Sequence, residues 1–411
     1  MTATALQQEE HLPEAIVCKW CGKSFHYLKS HISMGRCENI PESAKGLDVD
    51  EVVKMYTSAF PDEPTISRTA LAKLNEKRAE KHSGEGKVAE ISAHPGYAGT
   101  VEYKTELVAA HELLGVTIKE LGTPRGKPLQ VTVNVNTPYP EFVPEAKKNY
   151  VYGDFDLIKD IFMMLEIGIP GYLWGHAGTG KSSLPTQLCA LLNRPLIRAQ
   201  HTASMEEAHV TGQILARDGS TYFEPGLLAL AMKNGWVYLA DEYDFAFPQI
   251  LGVYQPVLEG EPLIIKEATV DWRRITPHKR FAFIGTGNTN GSGDETGLYQ
   301  GTNIQNAANF SRFGIVSNVK YMSTKAEVNM LAEAGVIREY AEKMVKFANL
   351  IREGYEKHQI SHPIGPRELL LSAKIGMMRG DFSAGIEKSF INKLPSTSAQ
   401  AAREVVQKIF G

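Results

Sequence analysis

A glycine-rich octapeptide, Gly175-His176-Ala177-Gly178-Thr179-Gly180-Lys181-Ser182, sits in the middle of this 411-residue chain and spells GxxxxGKS. The chemistry of that spacing is phosphate binding. Its glycines let backbone N–H groups close around phosphate oxygens, Lys181 brings positive charge to the β- and γ-phosphates of ATP, and the Ser182 hydroxyl is a ligand for Mg2+. Ala177, Gly178, Thr179 and Gly180, with Ser183 following, complete the expected cradle. Further on, the apolar run Trp236 to Ala240 ends in Asp241 and Glu242. Two adjacent acids suit hydrolysis, Asp241 holding Mg2+ through water and Glu242 polarising the attacking water. A third run, Phe281 to Ile284, leads into Gly285-Thr286-Gly287-Asn288, where the Asn288 amide is placed to orient that water. Arg312 is set between Phe310 and Phe313, and Arg367, in Gly365-Pro366-Arg367-Glu368, stands at the start of a helix. Taken singly, such an arginine is more often a surface ion pair.

These residues need a buried sheet behind them. Gly171 to Trp174 reads as the strand that delivers the phosphate loop, with a helix after it, and Arg194 to Gln200 reads as a second strand. Gly212 to Gly226 alternates around Asp218-Gly219, the pattern of a β-hairpin, and Pro262 to Thr276 reads as a second strand-rich insert. Leu129 to Val135 alternates like a strand, whereas residues 65–90 look like a polar helix running into a linker. Residues 326–334, 337–358, 366–378 and 399–410 carry apolar side chains at helical spacing, with Gly335, Gly354 and Gly380 expected near helix ends.

In this order the phosphate loop, acid pair, Asn288, Arg312 and Arg367 resemble the AAA+ ATPases over most of residues 140–380. The two inserts are similar to those of the MoxR branch. The stretch from Gly285 through Tyr299 to Thr302, followed by Ser311-Arg312-Phe313, and Asp241-Glu242-Tyr243-Asp244 resemble the CobS-like group, the ATPase subunits of aerobic cobaltochelatases. The resemblance implies an α/β fold: a AAA+ P-loop parallel-sheet domain with β-hairpin inserts (residues 141–320) and a small α-helical lid (321–411). It implies a ring, usually a hexamer, in which Arg312 acts on a neighbour's γ-phosphate and Arg367 reads nucleotide from its own lid. It also implies a von Willebrand A domain (CobT-like) partner and ATP-driven remodelling of a protein complex. Cobalt insertion with partner subunits is the second reading.

Near the start, Cys18-Lys19-Trp20-Cys21 is followed by His31 and Cys37. Two cysteines at CxxC spacing with a histidine and a third cysteine make a tetrahedral Zn2+ set. The fourth cysteine, Cys189, lies apart in the helix after the phosphate loop. His26 competes with His31 for the fourth ligand position and is expected to pack or face solvent instead. Cys21-Gly22-Lys23-Ser24-Phe25, Leu28-Lys29-Ser30-His31 and the later segment around Tyr56 are similar to Ros and MucR zinc fingers, which bind DNA, although the last ligand there is histidine. Residues 1–64 are therefore expected to form a small zinc-finger domain and 65–140 a connector.

A DNA reader needs a basic stripe, and this one is thin: Lys19, Lys23, Lys29 and Arg36 stand among acids, and the formal charge of the whole chain is −3. Few phosphate contacts mean weak, salt-sensitive binding. The finger's reading thus divides among docking on protein, a structural stub and a DNA hook. With no run of about eighteen apolar residues and no signal peptide, a cytoplasmic location is expected, and a finger joined to a CobS-like motor is similar to bacteriophage proteins, which would place it in the host cytoplasm.

Overall fold

The protein is represented by a computed structural model that describes residues 13–33, 36–45, 47–61, 63–70, 102–217 and 220–411. The Asp218-Gly219 turn and most of the expected 65–90 helix and linker lie outside the described residues. The chain divides into two compact units, Met1–Val88 and Ala89–Gly411.

In the larger unit five strands form one sheet: β1 (Gly171–Trp174), β2 (Leu196–Gln200), β3 (Val237–Asp241), β4 (Ala282–Gly287) and β5 (Ile315–Asn318). Their spatial order is β5-β1-β4-β3-β2 and every pairing is parallel. A parallel sheet is covered on both faces, so its inner strands read as unbroken apolar runs, as β3 and β4 do. Side chains alternate between faces. Tyr172, Tyr238 and Phe283 enter one core cluster, whereas their neighbours Leu173, Leu239 and Ile284 enter the other. Tyr172 fits only because β4 is glycine-rich opposite it: a Cβ on Gly287 would fall 1.8 Å from its hydroxyl. That hydroxyl reaches across to donate to the Thr289 carbonyl at 3.0 Å.

Parallel strands deliver their C-terminal ends to one edge of the sheet, where ligands of such folds bind. Helix α1 (Phe155–Ile167) precedes β1, its N-terminus capped by the Asp154 carboxylate, and α2 (Ser183–Leu191) leaves the phosphate loop. The expected hairpin is present as antiparallel strands Gly212–Arg217 and Ser220–Pro225. The second insert is sparser in strand than expected. Only Leu263–Ile264 and Arg274–Ile275 pair, and a helical turn, Val270–Arg273, lies between them. Gln130–Asn134 is a strand, antiparallel to Thr105–Ala109, and Val131 packs with Ala110, Leu114 and Leu121 into the core beneath α1.

The C-terminal helices are α3 (Thr324–Glu333), α4 (Arg338–Glu356), α5 (Pro366–Arg379), α6 (Phe382–Ser389) and α7 (Ser396–Phe410). They enclose a core of their own, with Leu331, Met344, Phe347, Ile351, Leu369, Ile386 and Phe390 buried. Helix α6 has no counterpart in the sequence reading. Gly335 and Gly380 close helices with positive φ, as expected. Gly354 also lies near a helix end, in the last turn of α4, but without positive φ: its missing side chain admits Ile360, whose Cδ1 would stand 3.1 Å from an added Cβ.

The smaller unit pairs Ile16–Val17 with Ser24–Phe25 and continues with helices Leu28–Ser33 and Val49–Ala59. A capping box of Asp48 and Glu51 starts the second of these helices. Tyr56 is fully buried, and its hydroxyl accepts from the Lys19 backbone N–H at 3.0 Å.

Candidate functional site

The phosphate loop runs from the end of β1 into α2. Gly178 and Gly180 adopt φ of 81° and 103°, a region that L side chains rarely enter. The Lys181 ammonium is held inside the loop by Gly175 O at 2.7 Å, His176 O at 3.0 Å and Asn288 Oδ1 at 3.0 Å. Burial pushes its pKa down to about 8, although the nearby acids Asp244, Asp241 and Glu242 pull the other way. Thr179 turns back to donate to His176 O, and Ser183 contacts Gly180 O and the Tyr150 hydroxyl.

Asp241, at the end of β3, lies beside this loop. Its Oδ1 accepts from Ser182 Oγ and Thr286 Oγ1, each at 2.5 Å. Its Oδ2 is paired with Arg198, whose Nε stands 2.7 Å away. Burial alone would raise the Asp241 carboxyl, but these hydrogen bonds and the Arg198 charge outweigh it and leave the pKa below the ordinary value. A hydroxyl and a carboxylate side by side at the loop are a hard oxygen set of the kind Mg2+ takes, usually through retained water. The residues present therefore fit that ion.

Glu242 follows in the left-handed region, with φ of 53°. For a residue with a Cβ that conformation costs roughly 1–2 kcal/mol, and it turns the carboxylate out of the strand direction. Gln200 Nε2 donates to Glu242 Oε2 at 2.8 Å, and the Glu242 backbone N–H is taken by Thr286 Oγ1. Asp244 anchors the next turn: its Oδ2 accepts from the N–H groups of Asn288 and Thr289 and from the Thr289 hydroxyl, at 2.8–3.0 Å.

Among the remaining expected residues, Arg367 reaches the site from the N-terminus of α5. It lines a cavity of about 390 Å³ with Ala177, Gly178, Tyr299 and Tyr321, and a Cβ on Gly178 would stand 3.3 Å from its own. A second cavity of about 380 Å³ lies on another side of the loop, lined by Tyr150, Tyr152, Thr179, Leu184, Val319 and Tyr321. Arg312 is not gathered in. Its Nε donates to Glu259 at 2.7 Å and its guanidinium also meets the Ala308 carbonyl.

Arg198, Gln200, Thr286 and Asp244 are positions that motif reading gave no role. Asp244 and Thr286 fall within the CobS-like stretches, while for Arg198 and Gln200 the signal is register: Gln200 pairs with Asp241 and Ala240 with Gly285 across the sheet, so strand-end polar residues next to the acid pair converge on it.

In the smaller unit Cys18, Cys21, His31 and Cys37 bring their ligand atoms within 4.8 Å of one another. Cys18 Sγ and Cys37 Sγ are 3.8 Å apart and Cys21 Sγ and His31 Nε2 are 3.3 Å apart. Two Zn–S bonds of about 2.3 Å at the tetrahedral angle put sulfurs about 3.8 Å apart, so the set fits Zn2+. His26 is not part of it: its Nδ1 meets Glu14 O and Ser67 Oγ.

Phosphate loop, acid pair and Asn288 on a parallel sheet, with a helical bundle closing on the loop, make this a AAA+ P-loop fold of the ATPase class. The AAA domain of the dynein-related subfamily matches residues 172–302. The aerobic cobaltochelatase subunit CobS of Sinorhizobium sp is 32% identical over 249 residues, covering 58% of this chain and 74% of that protein. The chain belongs to the CobS-like family of AAA+ ATPases. An uncharacterised Staphylococcus aureus (strain NCTC 8325 / PS 47) protein is 23% identical over 265 residues, covering 62% of this chain and 96% of its own length. Among solved structures, the Thermotoga maritima RuvB Holliday junction branch migration motor superposes with a TM-score of 0.38 at 13% identity, covering 65% of this chain and 72% of that one. Among the described residues no helix is long and apolar enough to cross a membrane.

Proposed function

We propose that the chain is an ATP-hydrolysing, ring-forming motor of the MoxR/CobS type that remodels a partner protein complex, acting with a von Willebrand A domain (CobT-like) protein. The observation that carries this reading is the convergence of Lys181, Ser182, Asp241, Glu242 and Asn288 at one sheet edge, connected by direct hydrogen bonds from Lys181 to Asn288 and from Ser182 to Asp241. Backbone N–H groups of the loop and Lys181 bind the phosphates. The tyrosine-lined cavity at Tyr150 and Tyr152 takes the base, whose flat face suits aromatic walls. Ser182 and Asp241 are the residues that would hold Mg2+, which when bound would neutralise charge at the phosphates. Glu242 accepts a proton from the attacking water, with Asn288 orienting that water. Arg367 contacts phosphate from the lid. Arg312, half-buried and paired with the exposed Glu259, completes a neighbour's site in a ring, the hexamer that the family resemblance implies.

The relationship to CobS supports a second reading, a cobalt-chelatase subunit. One experiment separates them: Glu242→Gln protein is held in Mg2+-ATP and what co-purifies with the stalled assembly is identified. A von Willebrand A protein and its client support the motor, whereas cobalt insertion by purified wild-type protein with its partners would replace it by the chelatase. The Ros/MucR-like reading of the finger gains little from the side chains around it. Lys19, Lys23 and Lys29 are paired with Glu63, Glu38 and Asp50, which leaves less free positive charge for DNA phosphates. The finger therefore reads as a protein-docking or structural module, and recovery of DNA that depends on Cys18 would overturn that.

A further inference from the structure

His176 is the second residue of the phosphate loop, and its side chain is committed to the lid side. Its Nδ1 meets the Tyr299 hydroxyl at 2.9 Å, and that hydroxyl also accepts the Ala177 backbone N–H at 3.1 Å. Since the phenol oxygen takes the Ala177 proton, its own proton is free for His176 Nδ1. Burial, followed by the Lys181 charge, pushes the His176 pKa below its ordinary value and favours that neutral, accepting ring. The imidazole lies parallel to Tyr321, with an interplanar angle of 4° and a centroid distance of 5.6 Å, and edge-on to Tyr355 of α4. On Tyr321 sits the Arg352 guanidinium, 4.0 Å from the ring centroid. Arg352 is in turn fixed by Glu327 of α3 and donates its Nε to the Ile364 carbonyl at 3.0 Å. Ile364 lies three residues before Arg367.

Every link is a direct contact, so the loop that grips phosphate and the segment that carries Arg367 are joined through one aromatic junction. At their closest the backbones nearly touch: a Cβ on Gly365 would stand 2.8 Å from Ala177 O. Meanwhile the His176 carbonyl accepts from Lys181 and Thr179, so the residue whose ring faces the lid is also one whose backbone holds the phosphate-binding lysine. Rotation of the loop around a phosphate would move the His176 ring against Tyr321.

We propose that His176, held by Tyr299 and stacked on Tyr321, is a positioning residue that sets the lid, and with it Arg367, according to the state of the phosphate loop. This rests on the ATPase reading above. It touches no phosphate itself, and its effect belongs to turnover more than to nucleotide affinity.

The full chain tests it, with ATPase kinetics and with hydrogen exchange of peptides from residues 321–367 in the absence and presence of Mg2+-ATP. In the wild type ATP is expected to slow exchange in those peptides. His176→Ala and Tyr321→Leu are expected to lower kcat about tenfold with less than about a twofold change in KM, the signature of an interaction made in the transition state, and to abolish the ATP-dependent protection. His176→Phe, which retains a flat ring for Tyr321, is expected to restore the protection. Should His176→Ala fail to fold, Tyr299→Phe decides, since it removes one oxygen and leaves the packing: a severalfold loss of kcat at unchanged binding of a fluorescent ATP analogue supports the junction. Wild-type kcat and wild-type protection in the folded variants would overturn it alone. A wild-type protein that hydrolyses no ATP would overturn the ATPase reading and the junction together.

Discussion

Removing Glu327 is expected to unfold the lid locally at a cost that a second, apolar substitution largely returns. Glu327 is fully buried and Arg352 nearly so, at 8% exposure. Their contact is bidentate, NH1 to Oε2 at 2.8 Å and NH2 to Oε1 at 2.7 Å, and it joins α3 to α4. Glu327→Ala strands a desolvated guanidinium, for which the typical cost is about 3–5 kcal/mol. Replacing both partners, Glu327→Leu with Arg352→Met, removes the stranded charge. What remains lost is the Arg352 bond to Ile364 O, worth about 1 kcal/mol, and its stacking on Tyr321, worth about 0.5–1 kcal/mol. The double variant is therefore expected to cost no more than about 2 kcal/mol, less than either single one. Tryptophan fluorescence is blind here, because Trp20, Trp174, Trp236 and Trp272 all precede the lid. Native-state hydrogen exchange in α4 reads the local opening free energy directly. A double variant whose loss equals the sum of the two single losses would refute the reasoning, since it would mean that the two charges do not depend on each other.

Three further outcomes are expected. Arg312→Ala should leave ATP binding intact and lower turnover by about a thousandfold or more, measured by steady-state hydrolysis beside equilibrium binding. Chelation of zinc, or Cys18→Ser, should unfold the smaller unit while the larger keeps its cooperative transition, because ligand binding and folding are coupled in such sites; metal content and the Tyr56 and Trp20 signals report it. His201 is buried with its Nε2 2.8 Å from the Tyr254 hydroxyl, and burial pushes its pKa down to about 4. Its folded form thus resists protonation, so its contribution is full above about pH 6.5, falls as pH drops through that value and levels off near pH 4, a loss on the order of 3 kcal/mol. Urea unfolding at several pH values, against His201→Gln, measures the slope.

The placement of the phosphate loop beside the acid pair was legible because phosphate binding forces residue types into short, fixed spacings. The ends of β1, β3 and β4 were legible for a related reason: fully buried parallel strands leave uninterrupted apolar runs that stop at a polar residue. What stayed hidden depends on register between distant strands. Arg198 is 43 residues from Asp241 and meets it only because β2 lies beside β3. Gln200 likewise carries no local mark, and Thr286 and Tyr299 lie in the CobS-like stretch but gain their partners only through the fold. Helix α6 was missed because eight residues, among them a glycine and two serines, span only two turns, too few for their spacing to be told from a loop, and the helix is held by packing on α5. Gly354 lies near the end of α4 as expected, but glycine signals a positive-φ cap or a close approach equally well, and only the position of Ile360 shows that here it is the approach.

Asp244 has a mechanical consequence. With its carboxylate holding Asn288 and Thr289, and its carbonyl accepting the Asn303 N–H at 2.7 Å, it welds the acid-pair turn, the tip of β4 and the end of the following loop into one block. On the proposed function, in which Glu242 activates water and Asn288 orients it, this block would act as the fixed jaw of a vice, and the stroke would fall to the opposite jaw, the helical bundle beyond Tyr321.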